Sequence, residues 1–193
     1  MRRFYAEALG ITDEKLLDIV VPISRIKTVE KGALLIRHGE RQSHVTFLME
    51  GLLRGFYLDP DGRDVTDCFG LHPWTPAMAC CGLNDLSPIT IEALTPSRVV
   101  RIPYEAVMEL LERDVRLVQM YNTLLLKSVQ EHWQVKTMVC QHTATERYQW
   151  FLEEYPGLID RVNNRYVASY LGMSPVTLSR IRGSLRESSE ENM

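Results

Sequence analysis

The periodicity of hydrophobic and polar positions changes partway along the chain. Residues 23–102 form short β-prone runs separated by turn residues such as Asp61-Gly62, a pattern typical of an antiparallel sandwich or barrel. Ahead of these strands, Thr12 begins a capped helix that Pro22 is predicted to end. After them, apolar residues recur at helical spacing. The pattern therefore predicts an antiparallel β-roll followed by a helical half.

The strand pattern is interrupted at residues 71–84, which contain two prolines and an adjacent pair of cysteines. An apolar, proline-containing segment that leaves a β-roll either lines a ligand cavity or plugs one end of the barrel, and the residues favour neither alternative. On the first alternative, we expect an effector pocket near Phe69, Cys80, Cys81 and Thr90.

A long helix is predicted after residue 113, and its apolar positions repeat at alternating steps of three and four. Such a heptad seam is typical of helices that pair side by side, so we expect a dimer interface. The alternative is a core helix of a monomer. A second stripe, with Leu117, Leu124 and Trp133, is expected to pack on the β-roll. The predicted interface residues are Val118, Tyr121, Leu125, Ser128, His132, Val135 and Val139.

Residues 163–186 are typical of two short helices joined by a tight turn. Val167 and Leu171 give the first helix an apolar face. Gly172 supplies a backbone conformation that other residues resist, and Ser174 has the position of an N-cap for the second helix. This arrangement is a helix-turn-helix, although an ordinary helical hairpin has the same spacing.

The local charge favours a helix-turn-helix over an ordinary helical hairpin. Residues 161–186 contain five arginines and no acidic residue, in a chain whose formal net charge is -3. A local positive field on a helix-turn-helix is typical of a DNA-binding module, whose second helix enters the major groove. The acidic balance of the whole chain argues against indiscriminate coating of nucleic acid. The candidate DNA-binding residues are Arg165, Ser174, Val176, Thr177, Ser179, Arg180 and Arg182.

Other kinds of site find less support. The four cysteines lack C-x-x-C spacing, and His38, His44 and His72 do not form the H-x-H pattern of a cupin-type metal enzyme. No nucleophile-base pair, phosphate-binding loop or carboxylate dyad is apparent. We therefore predict no metal site and no enzymatic activity. No run of 18 apolar residues occurs, so we expect a cytoplasmic protein without a membrane segment.

The turn-rich roll, the long helix and the segment ERYQWFLEEYPGLIDRVNNRYVASYLGMSPVTLSRIR together resemble the cyclic-AMP receptor protein / fumarate-nitrate regulator (CRP/FNR) superfamily over nearly the whole chain. The resemblance implies an α+β fold with an N-terminal, jelly-roll-like β-roll, a long dimerisation helix and a C-terminal helix-turn-helix domain. We expect an effector domain at residues 1–113, the dimerisation helix at 114–140 and the DNA-binding domain at 141–193. A truncated wing is expected, because residues 183–193 are few and polar.

This resemblance implies a homodimeric transcription regulator that binds an inverted repeat in double-stranded DNA and recruits or blocks RNA polymerase. Arg180 matches the family's base-contacting arginine, and Thr177 and Ser179 match positions near phosphate. Pro175 and Val176 occupy two other base-reading positions, and neither side chain makes a bidentate hydrogen bond, so we expect a different operator. The alternatives are a ligand-binding protein that does not bind DNA and a cupin-type enzyme.

The sequence does not identify the effector or any cofactor. Cyclic-nucleotide sensors of the family hold the cyclic phosphate with an Arg-Ser/Thr pair, which falls here on Ser87-Pro88. A buried phosphate without a cationic partner is unfavourable, so we expect that cyclic AMP is not the ligand. The family's N-terminal cysteine cluster is missing, which argues against an iron-sulphur sensor. Haem stays open, since His38, His44 and His72 are available.

Overall fold

The structure, a computed structural model, describes residues 1–77 and 85–190, and it describes side chains as far as Leu185. The helices are α1 (Arg2–Leu9), α2 (Glu14–Ile23), α3 (Tyr104–Arg113), α4 (Val115–Gln141), α5 (Ala144–Glu154), α6 (Asn164–Tyr170) and α7 (Pro175–Glu190), with a 3-10 turn at Leu158–Asp160. The strands are β1 (Arg25–Val29), β2 (Leu34–Ile36), β3 (His44–Glu50), β4 (Leu53–Leu58), β5 (Asp64–Gly70), β6 (Thr90–Ala93) and β7 (Ser97–Pro103).

These elements fold into two compact units. The first contains residues 1–57 and 67–127, and the second contains residues 58–66 together with those from 128 onward. Within the parts of the chain that are described, no helix combines the length and the apolar character needed to cross a bilayer.

Two antiparallel sheets make up the β-roll of the first unit. Sheet A has the strand order β1-β7-β3, and sheet B has the order β2-β6-β4-β5. Sheet A is regular across β1 and β7, whereas β3 shifts register between Leu48 and Glu50. The predicted antiparallel β-roll is therefore confirmed, and its two sheets close over a shared apolar interior.

Sheet A is covered on both faces, because its side chains alternate between two apolar clusters. Phe47 and Val100 lie in a cluster with residues of α1, α2, α3 and the start of α4. Leu48 and Val99 point the other way, into the interior of the roll, where they pack with residues of β4 and β6. Leu117 of α4 is buried in the helical cluster, as expected for the stripe that packs on the roll.

Helix α2 differs slightly from its prediction at both ends. Its N-cap is Asp13 rather than Thr12, and the Asp13 carboxylate accepts a hydrogen bond of 2.9 Å from the backbone N–H of Leu16. At the other end the helix continues one residue beyond Pro22, and the Ser24 N–H then bonds to a carbonyl of the last turn. Proline removes only one backbone donor, so a terminal turn tolerates it better than a helix centre does.

The predicted interruption after β5 is partly extended backbone. The Leu48 N–H donates to the Thr75 carbonyl at 2.9 Å, and the Ala77 N–H donates to the Thr46 carbonyl at 2.8 Å. These bonds add a short segment to the free edge of β3. Trp74 introduces it with a φ of 71°, a left-handed conformation that is uncommon for a bulky side chain.

Sheet B contains a buried ion pair. Arg54 on β4 is fully buried and lies directly opposite Glu92 on β6, and its Nη1 donates to Glu92 Oε1 at 2.8 Å. The guanidinium also lies over the ring of Phe56, 4.6 Å from its centroid. A buried arginine requires such a partner, because an unpaired charge in the protein interior is very costly.

Candidate nucleic-acid interface

The second unit packs α6 and α7 around a small apolar core. Val167, Ala168, Leu171 and Leu178 have no exposed side-chain surface, and this includes the pair from which the first helix was predicted. Asn163 caps α6 by accepting a hydrogen bond of 3.0 Å from the Arg165 N–H. The two helices therefore hold each other in one orientation through contacts within this unit.

The turn between them is built around Gly172, which has a φ of 61°. A Cβ at this position would lie 3.0 Å from Val139 Cγ1 and 3.2 Å from Arg147 Nη1, so glycine suits both the conformation and the close approach. Arg147 of α5 donates from Nη1 to the carbonyls of Leu171 and Gly172, at 2.7 and 3.3 Å. The turn is thus fixed by contacts with two other helices.

Helix α7 begins as predicted. Ser174 Oγ accepts a hydrogen bond of 3.1 Å from the Thr177 N–H, and Pro175 is the first helical residue. The remaining N–H groups of the first turn make the start of a helix attractive to phosphate oxygens. Thr177 Oγ1 lies 2.9 Å from Ser174 Oγ, so the two hydroxyls form one polar group at this end.

The outer face of α7 carries residues that were predicted to contact bases and phosphates. Ser179 and Arg180 are exposed, and Val176 keeps 60% of its surface exposed. Within the described residues the Arg180 guanidinium donates no hydrogen bond and forms no ion pair, while its backbone carbonyl accepts from Ser184. A whole guanidinium fork is therefore available to a ligand on this face.

Two other residues that were predicted to bind DNA, Arg182 and Arg165, make contacts within the protein. Arg182 has only 20% of its side chain exposed, its Nη1 donates to Asn164 Oδ1 at 2.6 Å, and its Nη2 lies 4.0 Å from Asp160 Oδ1. It ties α7 to the start of α6. Arg165 is exposed on α6, where its Nη2 donates to the Tyr166 hydroxyl at 3.0 Å and its guanidinium stacks on that ring.

Sequence reasoning missed the residues that brace this module. Arg147 is 24 positions from Leu171, and nothing in the local pattern of α5 distinguishes it from a surface arginine. Ser169 is also engaged: its Oγ accepts from the Thr66 N–H at 3.1 Å and donates to Thr66 Oγ1 at 2.9 Å. In contrast, the capping box at the start of α5 follows a local sequence pattern, a Thr with a Glu three residues later, and Thr143 and Glu146 exchange hydrogen bonds there.

Helix α4 has the predicted length, and its apolar surface extends beyond the predicted seam. All seam residues except the exposed His132 are half-buried within the single chain. Apolar side chains one position further along are more exposed than the seam: Leu126 is 63% exposed, Trp133 is 60% exposed, and Val129 lies between them. The expectation that Trp133 packs on the β-roll is therefore wrong, whereas Leu124 does pack against the helical cluster.

The predicted effector pocket is only partly described. Phe69 and Thr90 are buried on β5 and β6, and Thr90 Oγ1 accepts a hydrogen bond of 3.0 Å from the His38 N–H. Cys80 and Cys81 lie outside the described residues. Across the described residues, no three His, Cys, Asp or Glu side chains come together as metal ligands.

Known proteins resemble this chain in sequence and in fold. Residues 26–114 match the cyclic nucleotide-binding domain family. The transcriptional activator FnrA of Stutzerimonas stutzeri is 24% identical over 186 residues, which cover 90% of this chain and 75% of FnrA.

Two solved structures share the fold. FixK2 from Bradyrhizobium japonicum has a TM-score of 0.77 at 19% identity and covers 86% of each chain. A structure from Eubacterium rectale, described as a transcriptional regulator of the CRP/FNR family, has a TM-score of 0.73 at 15% identity and covers 91% of this chain and 84% of that one. The chain is thus similar to FNR-type regulators in sequence and to CRP/FNR-family structures in fold along most of its length.

Proposed function

We propose that this protein is a sequence-specific, DNA-binding transcription regulator that acts as a homodimer under the control of a small-molecule effector. The observation that carries the proposal is the outer face of α7, where Arg180 projects an unengaged guanidinium beside Ser179 from a helix whose orientation is fixed by its own unit. An exposed helix face with hydroxyl and guanidinium groups has the chemistry that reads base edges and holds phosphates.

Within this face, the proposed roles follow from position. Arg180 reads a guanine, because its two donors fit O6 and N7 together. Ser174, Thr177 and Ser179 lie toward the start of α7, where hydroxyls and backbone N–H groups suit phosphate contacts. Val176 is exposed and fits a thymine methyl. Arg165 reaches the phosphate backbone from α6, and the internal contacts of Arg182 make it a positioning residue for α7.

The dimer is proposed from α4. We infer that two copies of this helix pair along the predicted seam and its flank at Leu126, Val129 and Trp133, because large apolar side chains that project from one helix face favour a protein partner. On a symmetric dimer the two α7 helices would meet an inverted repeat with half-sites roughly 34 Å apart. We propose domain boundaries after residues 113 and 140, a cytoplasmic location, and RNA polymerase as a further partner.

The effector is proposed not to be cyclic AMP. Ser87, at the position of the family's Arg-Ser pair, is buried, and its hydroxyl donates to the Ile89 carbonyl at 2.5 Å. Ser87 therefore puts a neutral side chain where the family's pair has arginine, and Pro88 follows where the pair has Ser or Thr. We propose that the protein is not an enzyme, since its FNR-type relatives are named as transcriptional regulators.

Selection from random double-stranded DNA tests the proposal. The expected result is one enriched inverted repeat, bound with an affinity that falls steeply as salt rises. Arg180→Ala should weaken binding to that sequence by about 1–3 kcal/mol, whereas Arg180→Lys should retain salt-sensitive binding but lose discrimination at one base pair, because an ammonium lacks the planar fork. Enrichment of no sequence would leave a ligand-binding protein without DNA binding as the better description.

A further inference from the structure

The inner face of sheet A changes from apolar to cationic along its strands. Leu48 and Val99 lie opposite each other on this face and are fully buried. Two residues further along, Thr46 lies opposite Arg101, and Arg101 lies opposite Arg25 on β1. Because side chains alternate between faces, these three residues share the face of Leu48 and Val99. At one end of the roll, this face of sheet A therefore carries a row of three residues, Thr46, Arg101 and Arg25, two of which are arginines.

This row is positively charged without a matching carboxylate. Arg101 Nη2 lies 3.0 Å from His44 Nδ1, and within the described residues Arg101 forms no ion pair. Arg25 donates to the Pro22 and Ser24 carbonyls, and Lys27 is next on the same face of β1. Like charges directly opposite each other on neighbouring strands are destabilising. The sheet therefore holds these cations close together at a cost that an anion would relieve.

Two neighbours contact Nδ1 of His44: Arg101 Nη2 at 3.0 Å and the Ser43 hydroxyl at 2.9 Å. A guanidinium only donates, so the contact with Arg101 favours the neutral ring whose proton is on Nε2. Burial lowers the pKa of His44, and the neighbouring charges of Arg101 and Lys27 lower it further. His44 thus offers an N–H donor in a positive field, which suits an anion and disfavours a metal cation.

A cleft opens at this end of the roll. Its enclosed volume is about 50 Å³, and its polar lining includes Gln42, Ser43, His44, Thr46 and Arg101.

Glu40, the one acidic residue among the described lining residues, is already engaged, because its carboxylate accepts from the backbone N–H and the guanidinium of Arg37, at 2.8 and 3.5 Å.

We propose that this cleft binds a small oxyanion, either a carboxylate or a phosphoryl group, through Arg101 and His44. Arg101 supplies paired donors for the two oxygens, and His44 Nε2 and the Thr46 hydroxyl supply further donors. With only about 50 Å³ of enclosed space, the cleft fits a small anion rather than a drug-sized ligand. The role of this anion as the controlling ligand rests on the proposed function, whereas its binding does not.

Isothermal titration calorimetry on the full-length protein tests the site. The probes are inorganic phosphate and malonate, each measured against sodium chloride at equal ionic strength, and the two arms distinguish phosphoryl from carboxylate ligands. Saturable binding of at least one probe is expected, and Arg101→Gln should weaken it at least tenfold. Arg98→Gln is the matched control, because Arg98 lies on the opposite face of β7, where its Nη1 is 3.6 Å from Glu50. That variant loses the same charge and should bind as the wild type does.

Two results would overturn the site: no saturable binding of either probe, or an equal loss in Arg98→Gln and Arg101→Gln, which would indicate general charge screening. Selection from random DNA is scored separately. Anion binding without an enriched DNA sequence would therefore support the anion site and contradict the proposal that the protein is a DNA-binding regulator.

Discussion

Helices α7 and α4 both turn one face to solvent, but the chemistry of the two faces differs. On α7 the exposed face carries Ser179 and Arg180, with one isolated apolar side chain, Val176. On α4 the exposed face carries Leu126 and Trp133 at heptad spacing. A polar face with an unengaged cation is suited to phosphates and bases, whereas an apolar stripe is suited to another helix.

The two helices also differ in how far their contacts are satisfied within a single chain. The orientation of α7 is fixed by Gly172 and Arg147, which contact neighbouring elements of the same unit. The apolar stripe of α4 stays about half or more exposed in the single chain. The stability loss caused by variants around α7 should therefore not depend on protein concentration. Variants of the α4 stripe should instead weaken dimer formation.

The largest effect is expected from Leu126→Glu. A charge in the centre of a helix pair is strongly unfavourable, so the variant should be monomeric at micromolar concentration in sedimentation experiments. A monomer reaches one half-site, and losing the linked second half-site should reduce DNA affinity by about 10²–10⁴-fold. Gln134→Glu is the matched control, since it adds the same charge at an exposed polar position about 80° around α4 from Leu126. A dimer of unchanged stability in Leu126→Glu would place the interface elsewhere.

Local signals explain what the sequence could predict in these regions. The Ser174 and Thr143 caps act on N–H groups three residues away, so their chemistry is visible in a short window. Arg147 was not predictable because it bonds across 24 positions. On α4, a shift of one residue rotates the exposed stripe by about 100°, and only packing shows which stripe is uncovered. The cationic row of sheet A similarly depends on strand register.

The second largest effect is expected from a substitution in the turn between α6 and α7. Gly172→Ala should destabilise the second unit by about 1–2 kcal/mol through its left-handed backbone, and by more because the new methyl meets Val139. Gly157→Ala is the matched control: its φ is 73°, but nothing lies within 4 Å of the added Cβ. Chemical denaturation should show a larger loss for Gly172→Ala at every protein concentration. Equal losses would mean that the contact with Val139 contributes nothing.

A smaller effect is expected from Arg147→Met, which keeps the aliphatic stem but leaves the Leu171 and Gly172 carbonyls without this donor. Hydrogen bonds from a charged donor contribute about 1.5–3 kcal/mol, and access of water to the turn should recover part of this loss. Specific DNA affinity should fall while the dimer persists. Arg161→Met provides a control on an exposed arginine of the same unit. If both variants bound DNA equally well, Arg147 would not position α7.

The smallest effect is expected at the start of α5 and depends on pH. Hydrogen bonds from the backbone N–H and the hydroxyl of Thr143 lower the pKa of Glu146, with the charge of His142 as a minor cause. A lowered folded-state pKa stabilises the protein above the unfolded pKa, near 4.5, and this contribution is lost as pH falls through the folded value. Glu146→Gln should therefore lower the melting temperature at pH 7, and its difference from the wild type should shrink on acidification to pH 3. A difference that stays constant over this range would show that the charge of Glu146 does not stabilise the cap.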